Sequence, residues 1–238
     1  MLLIFVLWSM KSMSEIDYIV KIGGSVLYSI SKTKKLLDKL AEIGESVAFY
    51  VGSGAIGEEV KRIVNLEDKN IVFTKENGFL LTSSIHKINA LILCSLNDSF
   101  FLCYGKEECL AGISNNCKPI LDTEGFSVVL ADAESLQTDY QAALLCKYFD
   151  VKKLVIVTDV NGIFPTDPKI NIGVERIKNI STKELMELGK TSVDLGVTKI
   201  IDECNMECIV VGCDEIISLE ECSYEILKTI GTAIEVKK

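Results

Sequence analysis

Runs of apolar, β-favouring residues alternate along this chain with stretches whose apolar residues recur every three to four positions. The runs at residues 17–22, 47–51, 154–157 and 208–211 are mainly apolar, without the alternation of apolar and polar residues seen in half-exposed strands. Strands of this kind are buried on both faces, as in a parallel sheet that helices cover on each side. The pattern therefore predicts an α/β fold, a three-layer αβα sandwich with a mostly parallel central sheet.

The same reading of periodicity locates the other elements. It predicts helices at about 32–43, 56–63, 80–95, 139–148, 181–188, 193–204 and most of 216–229, and strands at 127–130 and 231–236. No repeat, linker or charge block divides these elements, so we expect one domain over residues 13–238. Residues 1–8 are apolar but far fewer than the roughly 20 that a bilayer requires. We interpret residues 1–12 as an N-terminal extension, with a membrane-dipping tip or an oligomer contact as the alternative.

The charge and cysteine content narrow the classes of partner. Lys and Arg number 25 against 34 Asp and Glu, a net charge of −9 that is unsuited to binding duplex nucleic acid. The mean hydropathy of +0.31 is high, and we assign it to the core rather than to a membrane span.

The nine cysteines include no CxxC pair. The spacing of Cys204, Cys208 and Cys213 comes close to that of a metal site, but these residues run from a helix end into a strand. We expect reduced thiols, no metal site and a cytoplasmic protein.

Glycine-containing polar segments follow three of the predicted strands. Lys21 precedes Gly23-Gly24-Ser25, the second segment is 52–54 (Gly-Ser-Gly) before a helix, and the third is 158–164, followed by Asp167-Pro168. Backbone N–H groups in such loops and at helix N-termini can bind an anion. Each segment alone also fits an ordinary turn. The motif GxxxxGK[ST] is absent, so phosphate binding would use a different fold from the one that carries this motif.

The order of these motifs resembles the amino acid kinase family, and within it the archaeal-type UMP kinases. The resemblance extends over almost the whole chain from Tyr18. Besides the glycine segments, it rests on 88–91 (Ile-Asn-Ala-Leu), 137–139 (Gln-Thr-Asp), 142–145 (Ala-Ala-Leu-Leu), 192–194 (Ser-Val-Asp), 198–201 (Thr-Lys-Ile-Ile) and 231–235 (Gly-Thr-Ala-Ile-Glu).

The resemblance implies a role for particular residues of this chain. The catalytic group would comprise Lys21 at the transferring phosphoryl group, Asp139 positioning the lysines, and Lys199 on the nucleotide side. The residues implied for ATP are Gly23, Gly24, Thr158, Asp159, Gly162, Phe164 (where a tyrosine is usual) and Asp167. The residues implied for the acceptor phosphate are Gly52, Ser53, Gly54 and Thr138.

The implied reaction is ATP-dependent phosphoryl transfer, UMP + ATP giving UDP + ADP, with Mg²⁺ arriving with ATP. Such transfer depends on positioning and cations, and a phosphate acceptor is already ionised, so no general base is needed. That suits a chain with one histidine, His86, which lies in an apolar helix where a structural role is the more ordinary one. The resemblance also implies a homo-oligomer, with a hexamer as the assembly it suggests.

The chain departs from the resemblance on the acceptor side. Ser53 interrupts what are usually three glycines, Thr82 stands where a glycine is expected, and 131–135 lacks the usual Gly-Gly and Pro-Gly and contains Asp132 and Glu134. Two alternatives therefore stay open. The acceptor could be another small phosphomonoester, such as an isoprenoid or aminomethylfuran phosphate, or a carboxylate. Isopentenyl phosphate is disfavoured, because the enzymes of this kind that use it have a histidine beside the second glycine segment and this chain has none there. The other alternative is a nucleotide- or oxyanion-binding protein without turnover.

Overall fold

The computed structural model describes residues 16–66, 75–130, 137–189 and 191–236. Within these ranges eight strands form one sheet in the order β3-β4-β2-β1-β5-β7-β8-β6. All neighbouring strands are parallel except β7 and β8. The strands are β1 Tyr18–Ile22, β2 Val47–Val51, β3 Phe100–Cys103, β4 Lys118–Leu121, β5 Lys153–Thr158, β6 Asn179–Ser181, β7 Glu207–Gly212 and β8 Thr232–Glu235.

Helices cover both faces of this sheet. In the described ranges they are α1 Ile30–Ala41, α2 Gly54–Leu66, α3 Lys75–Leu96, α4 Lys106–Ser114, α5 Ser127–Leu130, α6 Thr138–Phe149, α7 Thr182–Leu188, α8 Val197–Cys204, α9 Cys213–Ser218 and α10 Tyr224–Ile230, with a 3₁₀ helix at Gly24–Tyr28. The predicted three-layer αβα sandwich with a mostly parallel sheet is confirmed.

Alternate residues along each central strand enter two separate cores. Ile19 of β1 packs in the core that contains α6 and α8, whereas Val20 packs in the core that contains α1 and α9. Successive side chains of a strand point to opposite faces, so burial of both faces requires apolar residues at consecutive positions. This explains the continuous apolar runs of the sequence.

The structure corrects the predicted strand at 127–130, which is the short helix α5. A run of four apolar residues does not distinguish a strand from a helix. Here the Asp122 carboxylate accepts hydrogen bonds from the N–H groups of Glu124 and Gly125, which turns the chain, and Leu130 N–H then bonds to Phe126 O.

Other differences concern short or divided elements. Strands β3, β4 and β6 were not predicted: each has only three or four residues, and β4 contains Lys118 and Pro119. The helix predicted at 193–204 begins at Val197. The segment 216–229 belongs to two helices, α9 and α10. The proposed extension 1–12 and the loop 131–135 lie outside the described residues.

Helix α3 carries apolar residues on its outer face as well as its inner face. Among the described residues its segment Asn77–Leu96 is long and apolar enough to cross a membrane by length and composition alone, a test that core helices also pass. Leu93 and Ala90 are buried against the sheet, while Leu80 and Leu91 are each 49% exposed. From the sequence we had assigned the high mean hydropathy to the core. The exposed leucines of α3 show that part of it lies on the surface.

The chain changes direction across the sheet at its centre. From β1 it proceeds to β2 on one side, and later returns to β5 on the other side of β1. Loops after strands that flank such a switch point diverge and leave a crevice at the carboxyl ends of the strands. The first and third glycine segments follow β1 and β5, so the fold places both at this crevice.

Candidate active site

Two glycine loops contact each other backbone to backbone at the carboxyl ends of β1 and β2. We call residues 23–25 the first glycine loop and residues 52–54 the second. A Cβ atom on Gly24 would lie 2.0 Å from the nitrogen of Gly54, and a Cβ on Gly52 would lie 2.9 Å from the nitrogen of Gly24. Gly54 also has a φ of +56°. Side chains are excluded from this contact, so the glycines are required by packing and backbone conformation.

Lys21 and Asp139 form a buried ion pair directly behind the loops. Lys21 Nζ lies 2.6 Å from Asp139 Oδ1, and the two side chains are 8% and 5% exposed. A Cβ on Gly52 would lie 3.4 Å from Lys21 Cε, so the lysine passes immediately beneath the second glycine loop. Asp139 lies in the first turn of α6, where the helix dipole favours a negative charge. Two of the three implied catalytic residues are thus brought together.

The third implied catalytic residue, Lys199, is placed differently. Asp139 is tied to the segment before α8 by two reciprocal bonds: Asp194 N–H donates to Asp139 Oδ2 at 2.9 Å, and Asp139 N–H donates to Asp194 Oδ2 at 3.1 Å. Lys199 follows in the first turn of α8, but its side chain is exposed. It lies near Glu203, whose pKa is lowered mainly by a hydrogen bond from Lys147 and to a smaller extent by the charge of Lys199. The structure does not bring its side chain to the Lys21–Asp139 pair.

A cleft of about 440 Å³ lies between the loops after β1 and β5 and the segment at 191–192. We call it the donor cleft. Its lining includes five of the seven residues implied for ATP, namely Thr158, Asp159, Gly162, Phe164 and Asp167. Ser25, Val160, Thr166, Pro168, Lys169, Thr191 and Ser192 complete it. Gly23 and Gly24 adjoin it at Ser25.

Hydrogen bonds hold the walls of the donor cleft in place. Gly162 has a φ of +94°, and a Cβ there would lie 2.5 Å from Thr232 Oγ1, so only glycine fits. Gly162 O accepts from the Ser192 hydroxyl at 3.0 Å, and Thr232 Oγ1 accepts from Ile163 N–H at 2.9 Å. The loop after β5 is thereby fixed both to the segment before α8 and to the start of β8.

Among the described residues that line the donor cleft, Lys169 carries the positive charge. Its place in the cleft was not predicted from the sequence. Its Nζ lies 2.5 Å from Asp159 Oδ2. Burial raises the pKa of Asp159, but hydrogen bonding and proximity to Lys169 outweigh burial and lower it overall. The signal in the sequence was a lysine directly after the Asp-Pro pair.

The donor set suits a metal ion that enters with phosphates. Asp159 and Asp167 are the carboxylates of the cleft, and no group of three or more His, Cys, Asp or Glu forms a metal cage in the part of the chain that is described. Mg²⁺ commonly uses one or two carboxylates plus substrate phosphates and water. Asp159 and Asp167 fit that limited role.

Asn89 of α3 holds the second glycine loop by two hydrogen bonds. Its Nδ2 donates to Gly52 O at 2.8 Å and to Ser53 O at 3.0 Å. Thr138 lies on the other side of the loop, its hydroxyl 3.2 Å from where a Cβ on Gly52 would be. The structure thus gathers Gly52, Ser53 and Thr138 around one loop. The sequence showed Asn89 only as part of a motif; a lone amide in an apolar helix was the clue to its contact.

A buried polar network surrounds His86, one helical turn before Asn89. His86 Nδ1 lies 2.9 Å from both the Tyr50 hydroxyl and the Thr123 hydroxyl, and the Tyr50 hydroxyl donates to Gln141 Oε1 at 2.8 Å. Burial, and secondarily the charge of Lys21, lower the pKa of His86 to about 3. The imidazole is therefore neutral near pH 7, and it joins α3, β2, α6 and the loop after β4.

Comparisons with known proteins agree with this architecture. The model of the Amino acid kinase family matches residues 18–212 of the chain. A protein named uridylate kinase from Methanococcus maripaludis is 29% identical over 215 residues, covering 82% of this chain and 90% of the relative.

Solved structures show the same fold. A uridylate kinase from Archaeoglobus fulgidus superposes with a TM-score of 0.66 at 19% identity, over 92% of this chain and 100% of that one. An aspartate kinase from Synechocystis gives a TM-score of 0.67 at 13% identity, over 92% of this chain and 40% of that one. Since proteins named for different acceptors superpose equally well, the fold alone does not identify the acceptor.

Substitution of Gly24 tests the contact between the glycine loops. In Gly24→Ala the new methyl group would overlap the Gly54 backbone, and the loops would have to separate. We expect the affinity for Mg·ATP, measured by calorimetry, to fall by at least about tenfold, because small displacements at such sites are costly. Gly44→Ala is the matched control, since a Cβ there meets nothing within 4 Å. Wild-type affinity in Gly24→Ala would contradict the contact.

His86 predicts a specific dependence of stability on pH. The unfolded chain binds a proton at this histidine near pH 6.5, whereas the folded chain does so only near pH 3. Between these values the unfolded state holds more protons, so the free energy of unfolding decreases as the pH falls, by up to about 1.4 kcal/mol per pH unit from this group. Above pH 6.5 the contribution is constant.

His86→Gln isolates that effect because the chain has one histidine. Urea unfolding of both proteins between pH 7 and pH 4 should show a steeper loss of stability for the wild type. Parallel curves would show that His86 is protonated in the folded protein or is not buried as described.

Proposed function

This chain belongs to the amino acid kinase family, and we propose that it transfers the γ-phosphoryl group of ATP to the phosphate of UMP, giving UDP and ADP. The observation that carries the proposal is the buried Lys21–Asp139 pair behind two touching glycine loops. One loop adjoins the donor cleft, and the other is held by Asn89 on the opposite side. Donor and acceptor phosphates would meet above Lys21.

In this proposal the chemistry is a direct in-line displacement. An acceptor phosphate oxygen forms a bond to the γ-phosphorus while the bond from that phosphorus to the β,γ-bridging oxygen breaks, and ADP leaves with the electron pair. The acceptor oxygen is already ionised, so no base is required. The catalytic contribution is positioning and charge stabilisation. The backbone N–H group of Gly24 would contact the transferring group, and Lys21 would stabilise its negative charge. The N–H group of Gly23, which the resemblance also implied for this role, instead donates to Val157 O at 2.7 Å.

Asp139 orients Lys21 in this scheme. Its carboxylate holds the Lys21 ammonium at 2.6 Å and also accepts from Asp194 N–H. A lysine fixed at both the backbone and the ammonium loses less freedom when phosphate binds, and its charge needs no reorganisation during transfer. Mg²⁺ bound to ATP would neutralise part of the phosphate charge, and Asp159 and Asp167 would supply its carboxylate ligands.

UMP is preferred as the acceptor because the curated relatives covering most of this chain are named uridylate kinases. The departures at Ser53 and Thr82 do not disturb the fold. Ser53 is buried and its carbonyl is held by Asn89, and the Thr82 hydroxyl bonds to Gly78 O in its own helix at 2.9 Å. Another phosphomonoester or a carboxylate remains the second candidate for the acceptor.

The proposal also covers assembly and location. We propose a cytoplasmic homo-oligomer. The outer face of α3, with Leu80, Leu81, Ile88 and Leu91 between 38% and 49% exposed, is the kind of apolar surface that subunit contacts bury.

A panel of acceptors tests the reaction directly. The full chain is incubated with Mg·ATP and, separately, UMP, CMP, glutamate and small organic phosphates, and ADP release is measured. We expect turnover to be fastest with UMP. Turnover only with a non-nucleotide would exclude UMP as the substrate. ATP binding without turnover of any acceptor would exclude a kinase and favour a binding protein.

Lys199 is tested against Lys21. We expect Lys199→Ala to lower kcat with UMP by about 2–4 kcal/mol in transition-state terms, the magnitude for removing an electrostatic donor, and Lys21→Ala to lower it at least as much. Lys183→Ala is the matched control, because Lys183 also lies in a first helical turn and also faces a glutamate four residues on, Glu187. An unchanged rate for Lys199→Ala would show that its exposed position in α8 is also its position during catalysis.

A further inference from the structure

The charges that line the donor cleft are unevenly divided. Among its described lining residues one side chain is positive, that of Lys169, and two are negative, those of Asp159 and Asp167. ATP retains negative charge even with Mg²⁺ bound, so a cleft that holds its phosphates needs a positive group close to them. Lys199, which the resemblance implied for the nucleotide side, is exposed on α8 and does not line this cleft. Lys169 is therefore the lysine placed to meet the donor.

Asp167 fixes the turn that carries Lys169. The N–H group of Lys169 donates to Asp167 Oδ1 at 2.9 Å, and the N–H groups of Ile170 and Asn171 donate to Asp167 O at 3.2 and 2.9 Å. Asp167 itself lines the cleft, so the lysine side chain starts from the cleft wall. That side chain is 59% exposed, and its four-carbon stem lets the ammonium adjust to a bound ligand.

Asp159 connects the Lys169 ammonium to the first glycine loop. Lys169 Nζ lies 2.5 Å from Asp159 Oδ2. The Ser25 hydroxyl hydrogen-bonds to the same carboxyl and contributes to lowering its pKa, and Ser25 is the last residue of the first glycine loop. One carboxylate thus separates the ammonium from the loop where the transferring group would lie. An ammonium has three hydrogens, so its contact with Asp159 leaves others for phosphate oxygens.

We propose that the Lys169 ammonium donates hydrogen bonds to the β-phosphate of ATP, the phosphate that leaves with ADP. This inference rests on the proposed function, in which the γ-phosphoryl group lies above Lys21. The β-phosphate is the next group towards the donor cleft, where Lys169 carries the positive charge. Asp159 is then a positioning residue that holds the ammonium beside the first glycine loop. The contact would also stabilise the charge that ADP gains as its bond to the γ-phosphorus breaks.

Calorimetry of the full chain with Mg·ATP, Mg·ADP and AMP tests this contact. In Lys169→Ala we expect the affinities for Mg·ATP and Mg·ADP to fall at least about tenfold, as for the loss of a hydrogen bond to a charged group. AMP has no β-phosphate, so its affinity should change less than about twofold, because the bond that is lost does not reach it. Lys169→Arg restores the positive charge and should recover most of the affinity, whereas Lys169→Gln should not.

Lys152→Ala is the matched control at the opposite end of β5. Lys152 directly precedes this strand, its side chain is 55% exposed, and its Nζ lies 2.7 Å from Asp150. It therefore resembles Lys169 in exposure and in its aspartate partner, but it lies away from the donor cleft. We expect Lys152→Ala to bind all three nucleotides as the wild type does. Exposed ion pairs contribute little to stability, so each variant should fold, and thermal melting of each one checks this.

Three results would overturn the inference. The first is an unchanged affinity of Lys169→Ala for Mg·ATP. The second is a loss for Mg·ATP alone, which would place the contact on the γ-phosphate. The third is an equal loss for AMP and Mg·ADP, which would assign the effect to the rest of the nucleotide or to the fold. Failure of the proposed function is distinguishable, since it appears as a wild type that does not phosphorylate UMP, whereas these binding measurements use no acceptor.

Discussion

The buried contact between Lys21 and Asp139 is the interaction on which the rest of the site depends. Removing two charges from water is expensive, and a buried pair persists only with close geometry and further hydrogen bonds. Both conditions hold: the pair is 2.6 Å apart, and Asp139 also accepts from the Asp194 backbone. The pair joins β1 to α6, and through Asp194 to the segment that leads into α8. A displacement of any of these elements would break it.

The architecture concentrates polar chemistry at one edge of the sheet. Because the central strands are apolar on both faces, charged and hydrogen-bonding groups are excluded from most of the interior. They can gather where the strands end and the chain reverses across β1. Lys21 is a buried charged residue of the central strand β1, and its side chain reaches the carboxyl end of β1 beneath the second glycine loop. The contact between Gly24 and Gly54 then leaves no room for side chains between Lys21 and the phosphate that we propose binds there.

Much of this arrangement could be predicted from the sequence. Continuous apolar runs identified β1, β2, β5 and β7, and the glycines after β1 and β2, together with Lys21 near the end of β1, indicated the candidate site. Strands β3, β4 and β6 escaped because each has only three or four residues, and β4 contains Lys118 and Pro119. The contacts of Asn89 and Lys169 escaped because they depend on tertiary neighbours, which a local pattern does not contain. The exposed position of Lys199 is likewise set by how α8 packs, not by its motif.

Helix α3 shows both what a local sequence pattern predicts and which tertiary contacts it leaves out. In the sequence it reads as an apolar core helix, yet its inner face places Asn89 on the second glycine loop and His86 in the Tyr50 network. A polar side chain in such a helix is tolerated only when it is satisfied, and Asn89 is satisfied by two carbonyls of the loop it holds. His86 is bonded through Nδ1 to Tyr50 and Thr123 inside the protein. The donor cleft is lined mainly by loop residues, whereas the second glycine loop, which we propose holds the acceptor, is fixed by a helix and a strand. Selection of the acceptor would then be set by side chains with little freedom to adjust.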